Sequence, residues 1–137
     1  MTTSNLVTQL VALLRAANAA PVVEQYWRTE PPTQLTLYVH PLNETQEVGI
    51  HMSEFGRERA VTVLAETPWQ KPETEGPALV AAVEAVQAVC AANRQLEAGT
   101  ILTFGPVSYA FAVRPGRSVP CQIADITVTL KQPNRGG

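Results

Sequence analysis

Apolar positions recur with a helical period in two stretches of this chain. Between residues 4 and 17, Leu6, Leu10, Leu13, Leu14 and Ala17 fall on one face, and Thr8, Gln9 and Arg15 lie away from it. Thr3 or Ser4 can cap this helix, and Asn18 with Pro21 ends it. The second stretch, Gly76 to Leu96, has Gly76 as its expected N-cap, Pro77 at the first helical position and Gly99 as a stop signal. Leu79, Val83, Val86 and Cys90 make its bulky stripe. Ala78, Ala81, Ala82, Ala85, Ala88 and Ala92 make a strip of small residues, and only Glu84, Gln87 and Arg94 form a narrow wet sector. Such a helix is expected to pack on two sides, against a sheet and against a close neighbour. That neighbour is either the first helix or another copy of the chain.

Elsewhere the period is two. In Gln34–His40, Leu35, Leu37 and Val39 oppose Thr36, Tyr38 and His40, as in a half-buried strand. Val48, Ile50 and Met52 alternate again after the turn-forming Asn43-Glu44-Thr45-Gln46. Glu58–Glu66 alternates Val61 and Val63 against Ala60, Thr62 and Leu64. Residues 41–57 are either part of a protruding hairpin, the favoured reading, or a long loop. Pro21–Pro32 reads as an extended crossing anchored by Tyr26 and Trp27, and Thr67–Glu75 as a proline-punctuated linker. Val107, Tyr109, Phe111 and Val113 share a face of the next strand, and Arg114–Arg117 forms a basic turn. In the last strand, Cys121–Lys131, the apolar phase shifts between Ile123 and Ile126, which predicts a bulge near Ala124-Asp125. The order helix, three strands, helix, two strands predicts one α+β domain over residues 1–137, with 132–137 a loose tail. Its expected form is a two-layer sandwich of an antiparallel sheet with both helices on one face.

Composition narrows the functional classes. Charged residues make up 16% against roughly 25% in typical soluble domains, so part of the surface is expected to be covered by partners. A net charge of −2 offers no drive for tight nucleic-acid binding. No run reaches the roughly 18 apolar residues of a membrane span. The apolar N-terminus lacks a positive n-region and is interrupted by Arg15, which favours an amphipathic helix over a signal peptide. Cys90 and Cys121 form no CxxC and no metal-ligand spacing, so two buried free thiols are expected.

Candidate chemistry is sparse. A hairpin would bring His40 and His51 together, but no third ligand has a defined spacing. No nucleophile sits in a GxSxG elbow, and Gly105-Pro106 and Gly116 lack a phosphate-loop pattern. Glu66, Glu73 and Glu75 read as a solvated acidic loop. No catalytic, cofactor-binding or metal-binding residue is assigned, and an enzyme is not expected. Two charge features remain: the acidic set Glu44, Glu47, Glu54 and Glu58, and the basic pair Arg114 and Arg117. They are either solvated loops or complementary contact patches between copies or with a partner.

The layout LVTQLVALLRAA, QLTLYVHP, RERAVTVLAE, GPALVAAVEAVQAVC, PVSYAFAVRP and IADITVTLK resembles the tail terminator (tail completion) proteins of long-tailed bacteriophages, over Asn5 to Leu130. These are patterns without signature residues, so no functional residue is carried over. The resemblance implies a structural virion protein without a cofactor. It implies a ring, commonly of six copies, at the head-proximal end of the tail, assembled from chains made in the host cytoplasm. Its partners would be itself, the tail tube protein and the head connector protein, with DNA passing through the ring and no membrane. The element order is also similar to type III secretion chaperones, which implies instead a homodimer that binds a protein segment. Those usually end in a further helix, whereas this chain ends on Thr127–Lys131 and a short tail.

Overall fold

The computed structural model describes residues 3–25, 30, 32–40, 58–68, 72–114 and 119–131. The first helix, α1, spans Thr3–Ala16. Leu6, Val7, Leu10, Val11 and Leu14 are buried, so the core face is rotated slightly from the expected one; Leu13 is only partly buried and Ala17 is exposed. Asn18 ends the helix as expected, with φ 52°. Its N–H donates to Arg15 O at 3.1 Å and the Ala19 N–H to Leu14 O at 3.1 Å, which satisfies two terminal carbonyls.

The chain then turns into a short strand, β1, Val22–Glu24. The Arg15 guanidinium holds it there, donating to Val23 O from Nε at 3.0 Å and Nη2 at 2.8 Å. β1 pairs in parallel with β2, Thr36–His40, in the register Val23↔Leu37. The sheet is therefore mixed, not wholly antiparallel as expected. Three residues are too few to show an alternation, so β1 left no periodic trace within the Pro21–Pro32 crossing.

β2 pairs antiparallel with β3, Glu58–Glu66, and β3 with β5, Pro120–Lys131. β4, Ile101–Val113, pairs with the other side of β5 and gives the five-stranded order β1-β2-β3-β5-β4. The α+β architecture is as expected. The hairpin expected within residues 41–57 lies outside the described residues.

β5 keeps a continuous register on β3, so the bulge does not fall at Ala124-Asp125. It lies on β4, between Phe104 and Val107, where Gly105 adopts φ +97°. A side chain at that φ would be strained, and glycine is the residue that accepts it. The phase shift between Ile123 and Ile126 has another origin: β5 is packed on both faces. Ala124, Ile126, Val128 and Leu130 enter the helix-side core, while Cys121 is buried on the opposite face.

The second helix, α2, spans Pro72–Ala92, starting a turn before the expected cap at Gly76. Pro72 loses nothing at the first helical position, and Glu73 and Glu75 complement the N-terminal dipole. Pro77 then lies inside the helix, where it removes one internal hydrogen bond. The Asn93 side chain caps the far end, donating from Nδ2 to Val89 O at 2.9 Å. Length and composition alone would let α2 span a bilayer, but Leu79, Val83, Val86 and Cys90 are buried against the sheet as the stripe predicted. α1 lies over β1–β3 and α2 chiefly over β4 and β5, both on one face.

Candidate functional site

The face of the sheet opposite the helices holds a buried polar cluster. β3 is central and apolar from Ala60 to Ala65 except Thr62, and both its faces are covered: Val61, Val63 and Ala65 enter the helix-side core, while Thr62, Leu64 and Glu66 are buried on the other side. Glu66 is 0% exposed. Its Oε1 accepts from Tyr38 Oη–H at 3.3 Å, and its Oε2 accepts from the Cys121 S–H at 3.3 Å. Arg114 Nε lies 3.8 Å from the same Oε2. Thr67 clamps the strand ends just beyond. Its N–H donates to Gln122 O at 3.0 Å, and its hydroxyl accepts from Gln122 N–H at 3.2 Å.

Asp125 is cross-strand from Leu64 and so shares this face. Partial burial raises its carboxyl above the ordinary value, and the Arg114 charge opposes that rise. Arg114 thus acts on two carboxylates at the point where β4 ends. This arrangement ties the β4–β5 end to β3. A catalytic cysteine needs surroundings that favour thiolate; here the Cys121 S–H is spent as a donor to a carboxylate.

Arg114 requires a correction. It was expected on an exposed basic turn as a contact residue, yet it is 3% exposed and ion-paired with Glu66. A charge held this way cannot present itself to a partner. Glu66 is likewise no part of a solvated loop, and Glu73 and Glu75 lie in the first turn of α2. Of the other expected contact residues, Glu44, Glu47, Glu54 and Arg117 lie outside the described residues. Glu58 opens β3, in register with Lys131. His40 ends β2 in register with Thr62, and His51 lies outside the described residues. Among the described residues, no group of three or more His, Cys, Asp or Glu is placed to hold a metal ion.

Cys90 and Cys121 are both free and buried, as expected. Burial pushes the Cys90 thiol up to about 11. Cys90 borders a cleft of about 330 Å³ between α2 and β4, lined also by Gln87, Ala91, Arg94, Leu102 and Phe104. A second cleft of about 310 Å³, beside β1 and β2, is lined by Val22, Glu24, Glu30, Thr33, Thr36 and Tyr38 among others.

The more unusual surface is the sheet edge. β4 closes the sheet, and no described strand pairs with its outer side. Tyr109, Phe111 and Val113 were expected to share one face of the strand with Val107, and by register they do. They are nevertheless 52%, 56% and 55% exposed. Ile101 and Val80 are exposed as well. The 13 residues of β4 include no Asp, Glu, Lys or Arg. Alternation in the sequence signalled this strand, but it could not tell an inward face from an outward one.

No protein-family model matches the chain, and no curated protein matches it.

Proposed function

We propose that this protein is a structural subunit that works by assembling with copies of itself. The specific reading is a tail terminator ring of about six copies, which caps a phage tail tube and docks to the head connector. One observation carries the assembly: a 13-residue edge strand without a charge, bearing Tyr109, Phe111 and Val113 at more than half exposure. Native sheet proteins normally blunt such an edge with charge, proline or a covering element, because it otherwise recruits another chain. Here the Gly105-Pro106 bulge interrupts the edge and the Leu102 N–H is taken by Arg94 O at 2.7 Å, while the exposed apolar side chains lie beyond both, from Tyr109 to Val113. The copy number and the tail partners come from the similarity of element order to tail terminator proteins.

The uncharged edge also favours a second reading, a homodimeric chaperone or adaptor, since a neutral strand can meet its own copy without repulsion. The symmetry separates the two, because a ring joins unlike surfaces head to tail and a dimer joins like surfaces. Native mass spectrometry of the purified protein, followed by electron microscopy with purified tail tubes, tests this. A cyclic ring bound at tube ends supports the tail reading. A two-fold dimer without affinity for tubes replaces it with the second.

A further inference from the structure

We propose that the cleft between the end of α2 and the start of β4 is a binding site for a small monocarboxylate with an apolar body. The site is independent of the assembly reading and can stand or fall without it. Gln87 and Ala91 lie one turn apart on one side of α2, and Arg94 follows two residues beyond the end of the helix. Ala91 carries only a methyl group, so this side of the helix leaves room beside the strand. The Arg94 carbonyl accepts from Leu102 N–H at 2.7 Å, which ties the chain leaving α2 to β4 beside the cleft. Cys90 and Leu102 are buried and make an apolar floor, with Phe104 half-buried next to them. Gln87, Ala91 and Arg94 are exposed at the rim.

The polar groups of the cleft favour an anion. Arg94 is the one lining residue with an ionised side chain, since burial pushes the Cys90 thiol up to about 11 and keeps it neutral. Among the described residues the Arg94 side chain makes no hydrogen bond and no ion pair. Glu84, on the same helix, is ten residues away, or about 15 Å. A second donor comes from the strand. Leu102 N–H points away from β5, and in an antiparallel pair every second residue shares that direction, so Phe104 N–H does too. It lies about 7 Å along the edge from Leu102 N–H. Among the described residues no helix carbonyl meets it.

Charge and size select the ligand class. One guanidinium balances one negative charge, and its planar fork matches a carboxylate, whereas a phosphate dianion would keep an uncompensated charge. The floor of Cys90 and Leu102 with the Phe104 ring suits an apolar body, not a sugar. A volume of about 330 Å³ is equivalent to about eleven waters at ~30 Å³ each, so the ligand has about ten non-hydrogen atoms. A ligand of that size in an open cleft binds with a Kd on the order of a millimolar.

The test titrates isotopically labelled protein with phenylpropionate and follows the backbone amides by NMR. Phenylpropanol and phenylpropylamine have the same body without the negative charge. The variants are Arg94→Gln, which removes the cation, Ala91→Leu, which fills the cleft, and Glu84→Gln as a control; circular dichroism checks that each folds. Saturable shifts centred on Gln87, Arg94 and Leu102 to Phe104 are expected for the acid. The alcohol and the amine should bind more weakly by about tenfold or more, as should the acid to Arg94→Gln and Ala91→Leu, since a charge-assisted contact or the space is lost. Glu84→Gln should match wild type. No saturable shift by about ten times the expected Kd, equal affinity for acid and alcohol, or undiminished binding to Arg94→Gln would each overturn the site. The comparison of acid with amine on wild type decides the role of charge even where a variant does not fold. A short peptide ending in a free phenylalanine carboxylate that binds more tightly than phenylpropionate would overturn the free acid as ligand in favour of a chain terminus.

Discussion

Removing the guanidinium from Arg114 is the sharpest probe of the buried cluster. Arg114→Met keeps an unbranched chain of similar length but strands Glu66, which is 0% exposed. Breaking a buried ion pair from one side usually costs about 3–5 kcal/mol, because the remaining charge keeps its desolvation penalty. Two features place this pair at the lower end. The N···O separation of 3.8 Å exceeds that of a charge-assisted hydrogen bond, and Tyr38 and Cys121 go on donating to the carboxylate. We expect a loss of about 3 kcal/mol, or a fall in melting temperature of about 10 °C for a chain of this size. Glu66→Gln keeps an acceptor for Tyr38 while removing the charge. The double variant Arg114→Met/Glu66→Gln then buries neither ion and should be less destabilised than the sum of the singles, by about 2 kcal/mol. Urea unfolding at neutral pH, with both midpoint and slope fitted, measures all four corners. Additive losses, or a loss below about 0.5 kcal/mol for Arg114→Met, would refute the idea that this pair is a desolvated clamp.

On α2, Val86→Ala should cost about 1–3 kcal/mol, through lost burial plus a cavity at a side chain 1% exposed, and Val83→Ala about the same. Glu84→Ala, on the exposed side, should change stability by less than about 0.5 kcal/mol; similar losses at the two kinds of site in chemical denaturation would show that the inner face is wrongly assigned. Asp125 supplies a pH dependence. Its folded carboxyl is raised above 3.8, so the native state holds the proton more tightly than the unfolded chain does. Its contribution to stability is complete below the unfolded value and is lost as pH rises through the folded one. Asp125→Asn should flatten that part of the stability–pH curve, and a variant curve parallel to wild type would contradict the assignment.

Much of the architecture was legible along the chain, for a local reason. Helix periodicity and turn chemistry act between residues a few positions apart. The spacing of Leu6, Leu10 and Leu14, the end at Asn18 and the Leu79–Val83–Val86–Cys90 stripe could therefore be read directly. The alternation in Gln34–His40 and Glu58–Glu66 was equally local. Even so, the helix start at Pro72 was missed, because Pro77 offered a second acceptable first position.

What the tertiary structure alone decided concerns partners distant in sequence. Glu66, Arg114, Cys121 and Tyr38 carry no mutual spacing that marks a cluster; only the registers Thr36↔Glu66 and Glu66↔Ile123 bring their strands together. The near-continuous run Ala60–Ala65 was a visible hint, since a strand apolar on both sides must be covered on both sides. It says nothing of which charge ends up beneath the cover, and so Arg114 read as a surface residue when it is the cation of a buried pair. The edge strand is the converse case. Val107, Tyr109, Phe111 and Val113 alternate as a core face does, but side-chain period reports which residues share a face. How far that face is buried depends on how α2 packs across β4 and β5, and only the tertiary structure shows Tyr109, Phe111 and Val113 more than half exposed.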